Sequence, residues 1–247
     1  MTGDRGAPKL AHRRRPARVL LQALARLAFG LLAHVVVVGL ENWPTTGPLI
    51  VVANHFHFGD PALMVSIAPV HMEFLAGSQL PGAPAIVRWI PALWGALRVR
   101  RGSVGSRVAL RQAEAVLASN GVLGVFPEAG SWAQTLRRAR PGTAFLAART
   151  RARILPVGID GMPEVLPSAL RLRRATVTVR VGEPFGPLET AGTGRERREE
   201  LDTIGHRIME HIAALLPEQR RGLYSTDPAV REAAGWTEAF PWEDLDG

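Results

Sequence analysis

The chain has 247 residues, 47% hydrophobic and 21% charged, and it contains no cysteine. This length and composition predict one globular domain with short appendages. They exclude a disordered chain, an all-membrane protein and sites built on thiolate ligands or thiol nucleophiles. The net charge is +8 and comes from arginine, since Lys9 is the only lysine. Arginine pairs bidentately with phosphates and carboxylates, so we expect anionic lipid surfaces or phosphorylated ligands as partners. We expect no nucleic-acid partner, because no nucleic-acid-binding motif is present.

The N-terminal segment joins a basic run, residues 12–15, to an apolar stretch over 19–40. A transmembrane helix is one interpretation, but Arg26 near its middle would cost about 2.5–3.5 kcal/mol. A cleaved signal peptide is a second interpretation, and it lacks a small-residue cleavage site. The third divides the stretch into an amphipathic helix over 18–31 and a strand over 35–38, where four consecutive valines favour extended backbone. We favour the third, with the basic flank up to Arg18 on a membrane surface.

Strand and helix patterns alternate along the rest of the chain. Apolar runs and one alternation of Thr with Val predict strands over 49–53, 122–126, 154–159 and 176–181. Helical spacing and helix-start residues predict helices from 60, over 106–119, over 141–151 and over 195–216. The first of these begins with Asp60 as N-cap and Pro61 in the first helical position. The alternation predicts an α/β domain, with a layered mixed sheet flanked by helices.

The segment NHFHFGD, residues 54–60, lies between a predicted buried strand and a predicted helix. A histidine followed five positions later by an aspartate can act as a base and its orienting carboxylate, here His55 and Asp60. An N-cap at Asp60 and a turn at His55 explain the same residues without chemistry. His57 adds a third possible metal ligand to His55 and Asp60. No partnering histidine–carboxylate set follows in the sequence, so we predict no metal site. A P-loop and a Gly-x-Ser-x-Gly elbow are absent.

Two further segments carry candidate binding residues. FPEAGS, residues 126–131, follows a predicted strand, and its carboxylate and backbone amides either face a cleft or form an ordinary exposed turn. RVRRGS, residues 98–103, contains three arginines before a helix. In extended backbone, Arg98 and Arg100 lie on one side and Arg101 on the other. Such a cluster suits a phosphate, although a solvated charge run is the commoner explanation.

Taken in order, these segments resemble the motifs of the glycerolipid acyltransferase family, which includes the 1-acylglycerol-3-phosphate acyltransferases. NHFHFGD resembles its His-x4-Asp motif, and GALRVRRG its Gly-x-x-x-Val-x-Arg motif, with Arg101 in the place of the family arginine. FPEAGS resembles Phe-Pro-Glu-Gly, and ILPVGIDG resembles the fourth motif, with its proline at Pro156. GLENWP, residues 39–44, is also typical of such chains, and the resemblance runs over residues 36–181.

The resemblance implies transfer of an acyl chain from acyl-CoA or acyl-carrier protein to the hydroxyl of a lyso-glycerolipid, with 1-acylglycerol-3-phosphate as favoured acceptor and phosphatidic acid as product. His55 would be the general base and Asp60 its orienter. The thioester is already activated, so we expect no covalent intermediate, metal or organic cofactor. The residues implied to bind substrate are Arg98, Arg100, Arg101, Pro127, Glu128, Gly130 and Pro156. Among these, Arg101 would hold the acceptor phosphate, while Glu128 and the Gly130 amide would shape the acceptor pocket.

Two departures from the family pattern affect the expected acceptor. Ala129-Gly130-Ser131-Trp132 stands in place of Gly-Thr-Arg-Ser, so Ser131 replaces the arginine expected to face the phosphate. Arg137, Arg138 or Arg140 are candidates to replace it. In the second motif, Arg100 stands where an acidic residue is frequent. Three alternatives therefore stay open: an acyltransferase for an amino-acid lipid or glycolipid, a non-catalytic membrane-binding protein, and a metal-dependent hydrolase.

The chain is thus divided into three parts. We assign residues 1–33 to a basic, amphipathic, membrane-associating segment and residues 34–216 to an acyltransferase domain. Residues 217–247 form an acidic tail that we expect to be partly disordered. The predicted location is the cytoplasmic face of an anionic membrane, with peripheral attachment.

Overall fold

A computed structural model describes residues 15–77, 89–99, 103–235 and 237. The helices within these ranges are α1 Arg15–Leu32, α2 Asp60–Ile67, α3 Ile90–Trp94, α4 Ser103–Ala118, α5 Pro141–Thr150, α6 Val165–Leu170, α7 Gly194–Ala213 and α8 Pro228–Gly235. The strands are β1 Ala33–Val38, β2 Leu49–Ala53, β3 Glu73–Gly77, β4 Leu97–Val99, β5 Val122–Val125, β6 Arg153–Asp160 and β7 Ala175–Val181. Short 3₁₀ turns cover Leu40–Asn42, Met162–Glu164, Glu218–Arg220 and Gly222–Tyr224.

The described strands form one seven-stranded sheet in the order β1-β7-β6-β2-β5-β3-β4. All neighbours are parallel except β6 and β7, which are antiparallel. The predicted mixed α/β sheet is therefore confirmed. Since β2 lies between β5 and β6 and runs parallel to both, the carboxyl ends of these three strands meet at one edge of the sheet. Ligands bind at this edge in open α/β sheets.

The sheet separates two apolar cores, and β2 contributes to both. All five residues of β2 are buried, as its unbroken apolar run predicts for a central parallel strand. Leu49, Val51 and Ala53 face the core under α1, α2, α3 and α6. Ile50 and Val52 face the core under α4, α5 and α7. The molecule therefore has three layers, with helices on both faces of the sheet.

Helix α1 binds the domain through polar side chains. Both terminal nitrogens of Arg18 donate to the Glu73 carboxylate at 2.6 Å, and Arg18 Nε donates to the Trp94 carbonyl at 2.9 Å. Gln22 donates to the Val65 carbonyl at 3.0 Å, and Arg26 Nε donates to the Ser66 carbonyl at 2.9 Å. The predicted helix and following strand are present. Arg18, however, was expected at a membrane surface and is instead buried, because Glu73 offers a bidentate partner.

The leucines of α1 lie on the solvent side of the helix. The most exposed residues of this apolar stripe are Val19, Leu20, Leu24, Leu27 and Leu31. Only Leu21 and Phe29 of the helix pack against the core. No helix in the described part of the chain is long and apolar enough to cross a membrane.

The C-terminal region remains folded beyond the end of helix α7. The Glu218 carboxylate accepts hydrogen bonds from the Ser225 hydroxyl at 2.7 Å and from the Thr226 N–H at 2.6 Å. These bonds lower the pKa of Glu218 to about 2. Helix α8 follows, with Ala234 buried. The chain is therefore ordered over residues 222–235, where local hydrogen bonds fix it. Residues 238–247 lie outside the described residues, so the expected partial disorder of the tail stays a prediction.

Candidate active site

The candidate site begins where β2 ends, and Asn54 fixes that end. Its amide Nδ2 donates to the Ile159 carbonyl at 2.8 Å, and its Oδ1 accepts the Ile159 N–H at 2.7 Å. The Asn54 side chain thus takes the place of a backbone partner and continues the pairing of β2 with β6 by one position. Asn54 is completely buried. The chain direction at the next residue, His55, is set by this contact.

Asp60 organises the turn that follows. Its Oδ2 accepts the backbone N–H of Phe56 and of His57, both at 2.8 Å, and lies 3.0 Å from His55 Nδ1. The predicted N-cap role of Asp60 is wrong: the N-cap of α2 is Gly59, and Asp60 is its first helical residue. The carboxylate turns back toward the preceding residues, because three donors converge on it there.

The His55 ring is held on two sides. Asp60 Oδ2 already accepts two N–H groups, so Nδ1 of His55 carries the proton that it donates to the carboxylate. The ring stacks on Phe126, with centroids 4.4 Å apart and planes inclined by 27°. Nε2 makes no hydrogen bond to the described residues and is not among their buried unpaired atoms. The arrangement leaves Nε2 as an accessible base with a fixed tautomer.

His57 has a structural role in the same turn. Its Nδ1 accepts the Gly59 N–H at 3.2 Å, and its ring lies 4.2 Å from that of Phe58. Burial lowers the pKa of His57, and the nearby Asp60 opposes this shift. The ring is therefore neutral at pH 7 and can accept that bond. That His57 takes no part in the chemistry stays a prediction.

Glu128 connects the second candidate segment to the first. Its Oε1 accepts the His55 N–H at 2.8 Å, and its Oε2 accepts the Arg137 N–H at 3.2 Å. The carboxyl group is completely buried, and this burial raises its pKa to about 7, although Arg137 lowers it in part. Glu128 was expected to shape the acceptor pocket. Its carboxylate lies behind the His55 backbone and is completely buried, so it has no surface on which to touch a substrate.

Arg137 and Trp132 stabilise the loop after β5. The Arg137 guanidinium donates to the Gly130 carbonyl and lies over the Trp132 ring, 3.4 Å from its centroid. A Cβ at Gly130 would come within 1.9 Å of the Trp132 ring, so only glycine fits there. Ala129 takes the left-handed conformation at φ 61°, a position that favours glycine. The loop is thus a packed unit.

The other predicted binding residues lie in different surroundings. Pro127 is buried, and its carbonyl accepts the Arg140 N–H at 2.8 Å. Pro156 is buried within β6, where it pairs with Val52. A substrate-binding role for Pro156 is therefore wrong, because strands cover it on both sides. Arg98 lies in β4 beside Ala76 of β3.

Arg100 and Arg101 lie outside the described residues. Of the three arginines considered as replacements at Ser131, Arg137 is buried against the loop and does not face solvent. Arg138 and Arg140 are exposed and stay candidates.

Asn54 was not identified as a site residue from the sequence, and Arg137 was considered only as a phosphate-facing arginine, not as the partner of Glu128. Asn54 is the first polar residue after an apolar strand, which is a usable signal for a strand-end clamp. Arg137 gives no local signal, since its partner Glu128 lies across a loop. In the part of the chain that the structure describes, no three His, Asp or Glu side chains are grouped as metal ligands would be.

The structure is thus a three-layer α/β domain with an oriented, accessible histidine at the carboxyl edge of its parallel strands. The sequence profile of the acyltransferase family matches residues 34–160. The chain belongs to the acyltransferase family, and the prediction of an acyltransferase is confirmed. No curated protein sequence matches the chain.

The fold is also that of a solved acyltransferase. The crystal structure of PlsC, the 1-acyl-sn-glycerophosphate (LPA) acyltransferase of Thermotoga maritima, is similar with a TM-score of 0.56. The two sequences are 24% identical, and the match covers 80% of each chain.

Proposed function

We propose that the protein transfers a fatty acyl chain from acyl-CoA or acyl-carrier protein to the hydroxyl of a lyso-glycerolipid, with 1-acylglycerol-3-phosphate as favoured acceptor and phosphatidic acid as product. The observation that carries the proposal is the His55–Asp60 pair at the carboxyl edge of the sheet, inside the family domain. The similarity to a lysophosphatidate acyltransferase supports the acceptor class.

The reaction needs one base and no covalent intermediate. The acceptor hydroxyl gives its proton to His55 Nε2 while its oxygen attacks the thioester carbonyl carbon. A C–O bond forms, the C–S bond breaks, and its electron pair leaves with the sulfur. The imidazolium then returns the proton to the thiolate. Asp60 keeps Nδ1 protonated throughout and stabilises the imidazolium.

The acceptor phosphate is assigned to the arginines after β4. Strand β4 runs parallel to β3, and β3 to β5, so its carboxyl end lies on the same sheet edge as His55. Arg100 and Arg101 follow that end in the chain. Because Ser131 stands in place of a second arginine, we expect weaker dependence on the phosphate than the family pattern implies. Arg101→Ala should raise the acceptor KM more than it lowers kcat, which marks lost ground-state binding.

We also propose peripheral attachment to the cytoplasmic face of an anionic membrane through α1. The exposed leucine stripe supports this attachment, since an amphipathic helix binds a bilayer with its apolar side. The acceptor is a membrane lipid, so attachment would bring His55 close to its substrate.

The test is an assay of the full chain with radiolabelled acyl-CoA and separation of the lipid products. The acceptors are 1-acylglycerol-3-phosphate, a phosphate-free monoacylglycerol, an amino-acid lipid and a glycolipid. We expect 1-acylglycerol-3-phosphate to be acylated and the monoacylglycerol to retain part of that rate. Acylation of only the amino-acid lipid or glycolipid would replace the acceptor class. Activity on the phosphate lipid alone, unaffected by Arg101→Ala, would contradict the assigned phosphate site.

A further inference from the structure

The end of helix α6 presents two leucines that touch almost nothing. Leu170 is 87% exposed and Leu172 is 98% exposed, the highest values for large apolar side chains in the described residues. Arg171, Arg173 and Arg174 lie between and after them, and residues 165–175 contain no acidic residue. We define the segment 170–173 as the α6 tip.

The backbone of the α6 tip is unfavourable for leucine. Leu172 has φ 55°, and its N–H donates to the Ala169 carbonyl at 2.9 Å, which closes the end of α6. Glycine or asparagine is usual at such a helix end, because other side chains are strained there. A strained residue without packing contacts points to a role outside the fold. Leucine at this position gives the molecule an apolar side chain in solvent rather than a more stable helix end.

The α6 tip lies near the C-terminal end of α1. Helices α1 and α6 cover the same face of the sheet and contact each other. Arg174 joins them: its Nε donates to the carbonyl of Ala33, the residue after α1, at 3.1 Å. Between the end of α1 and this contact lies a groove of about 320 Å³ with apolar walls and two guanidinium groups, lined by Arg26, Phe29, His34, Ile67 and Arg174.

From this arrangement we propose that the α6 tip is a second membrane anchor, which inserts Leu170 and Leu172 into an anionic bilayer while Arg171 and Arg173 contact lipid phosphates. The proposal rests on the proposed attachment through α1 and adds a second point of contact. Apolar side chains flanked by arginines suit the boundary between acyl chains and headgroups. Two anchors on one face would fix the orientation of the domain on the membrane.

The charge of this face argues against a second copy of the chain as the occupant. Residues 15–40 also contain no acidic residue, so both the α1 segment and the α6 tip carry only basic charges. In a two-fold symmetric contact each patch meets itself, which would place arginines against arginines. An anionic bilayer has the opposite charge and neutralises them.

The test uses the absence of cysteine from the chain. Leu172→Cys in the full-length protein, labelled with an environment-sensitive fluorophore, reports the surroundings of the α6 tip. Val108→Cys is the matched control, since Val108 is exposed on α4 on the opposite face of the sheet. The probes are phosphatidylcholine vesicles with and without phosphatidylglycerol. We expect the label at 172 to move into an apolar environment on phosphatidylglycerol vesicles, and the label at 108 to stay in water.

A second variant separates membrane binding from folding. Leu172→Asn suits the left-handed backbone, so the melting temperature should stay the same or rise. Loss of the leucine should at the same time lower the vesicle partition coefficient by about three- to tenfold. If Leu172 had only a structural role, its replacement would not weaken vesicle binding while the melting temperature stayed the same or rose.

Other outcomes are equally decisive. If the unsubstituted protein binds vesicles and the label at 172 stays in water, the second anchor is disproved and attachment through α1 stands. If the unsubstituted protein binds no vesicles, both proposals fail. If the label at 172 becomes apolar without vesicles, as a dimer forms with rising protein concentration, the face is an interface between copies and the membrane proposal is overturned.

Discussion

The candidate site at the end of β2 and the outer face of α1 and α6 depart from the usual distribution of side chains in opposite directions. The candidate site buries the polar residues Asn54, Asp60 and Glu128, and each is hydrogen-bonded. Asn54 and Glu128 bind residues far away in the sequence, and Asp60 binds the residues just before it. The outer face exposes leucines whose neighbours in the domain are few. Buried polar groups and exposed apolar patches are the observations that carry functional information. The comparison indicates where the chemistry takes place and where the protein meets its surroundings.

Helices α7 and α1 differ in which side faces the sheet. The comparison shows that helix packing does not by itself require the leucines of α1 to be exposed. Helix α7 packs its apolar stripe inward, with Ile204, Ile208 and Ile212 buried. In α1 the polar residues Arg18, Gln22 and Arg26 bind the domain. If the comparison holds, substitutions in the candidate site should reduce turnover or the stability of the fold. Substitutions on the outer face should reduce membrane binding alone.

The largest effect is expected at His55. Removal of a general base costs about 10²- to 10⁴-fold in rate, so His55→Ala should lose that much in kcat. The fold should be intact, because Phe126 and Asp60 keep their other contacts. The measurement is steady-state acyl transfer together with the melting temperature.

Two matched variants sharpen this test. His57→Ala should retain most activity, since the His57 ring accepts a bond from Gly59 and lies beside Phe58, and the His57 N–H that binds Asp60 is kept in alanine. Asp60→Asn keeps an oxygen for the two backbone donors, but its amide nitrogen would replace Oδ1, a buried atom with no partner among the described residues. We expect strongly reduced turnover and a loss of about 1–3 kcal/mol in stability. An active His55→Ala beside an inactive His57→Ala would show that the base is misassigned.

Asn54 should matter for folding more than any surface polar residue. Asn54→Ala leaves the buried N–H and carbonyl of Ile159 without their partners. Each such loss costs about 1–3 kcal/mol, so we expect a total of about 2–5 kcal/mol. Urea unfolding measures this, with the exposed Gln112→Ala as control. A change under about 0.5 kcal/mol, typical of a surface site, would refute the clamp.

Glu128 should make stability depend on pH. The folded protein raises its pKa from 4.5 to about 7, so the folded state holds the proton more tightly than the unfolded state. Its contribution to the free energy of unfolding is therefore greatest below pH 4.5 and declines as the pH rises through 7. The decline is about 3 kcal/mol at 1.36 kcal/mol per pKa unit.

Glu128→Gln removes this titration while keeping the shape of the side chain. The difference in unfolding free energy between the unsubstituted protein and the variant should shrink by that amount as the pH rises from 4.5 to above 7. Unfolding curves at a series of pH values measure it. Parallel pH profiles for the two proteins would mean that the carboxyl group titrates normally.

The smallest effect on folding is expected at the α1 stripe. Leu24→Gln with Leu27→Gln removes two exposed leucines and keeps good helix formers. Vesicle partition should fall by about tenfold or more, while the free energy of unfolding changes by less than about 0.5 kcal/mol. Deletion of the helix is a poorer test, because Leu21, Phe29 and Arg18 are part of the packed structure. A large loss of stability in the double variant would place the stripe in a protein contact.

Much of the site could be predicted because its parts lie close together in sequence. His55 and Asp60 are five residues apart, and their contact is made within one turn. The Glu128–His55 bond spans 73 residues. The sequence did not predict that the Glu128 carboxylate points inward to His55, because the FPEAGS pattern is equally compatible with an exposed turn. Strands β3 and β4 and helices α3 and α6 were not predicted either, since they are short and their apolar pattern is incomplete.

The sequence by itself determined the longer strands and helices and their order, the burial of β2 and the spacing that brings His55 to Asp60, because these depend on local periodicity and short loops. The tertiary structure decided which side of α1 faces the domain, where the Asp60 carboxylate turns and what holds Glu128. An amphipathic pattern states that a helix has two sides, but the partner of each side comes from elsewhere in the chain. Arg18 finds Glu73 across 55 residues, and that ion pair turns the leucines of α1 outward.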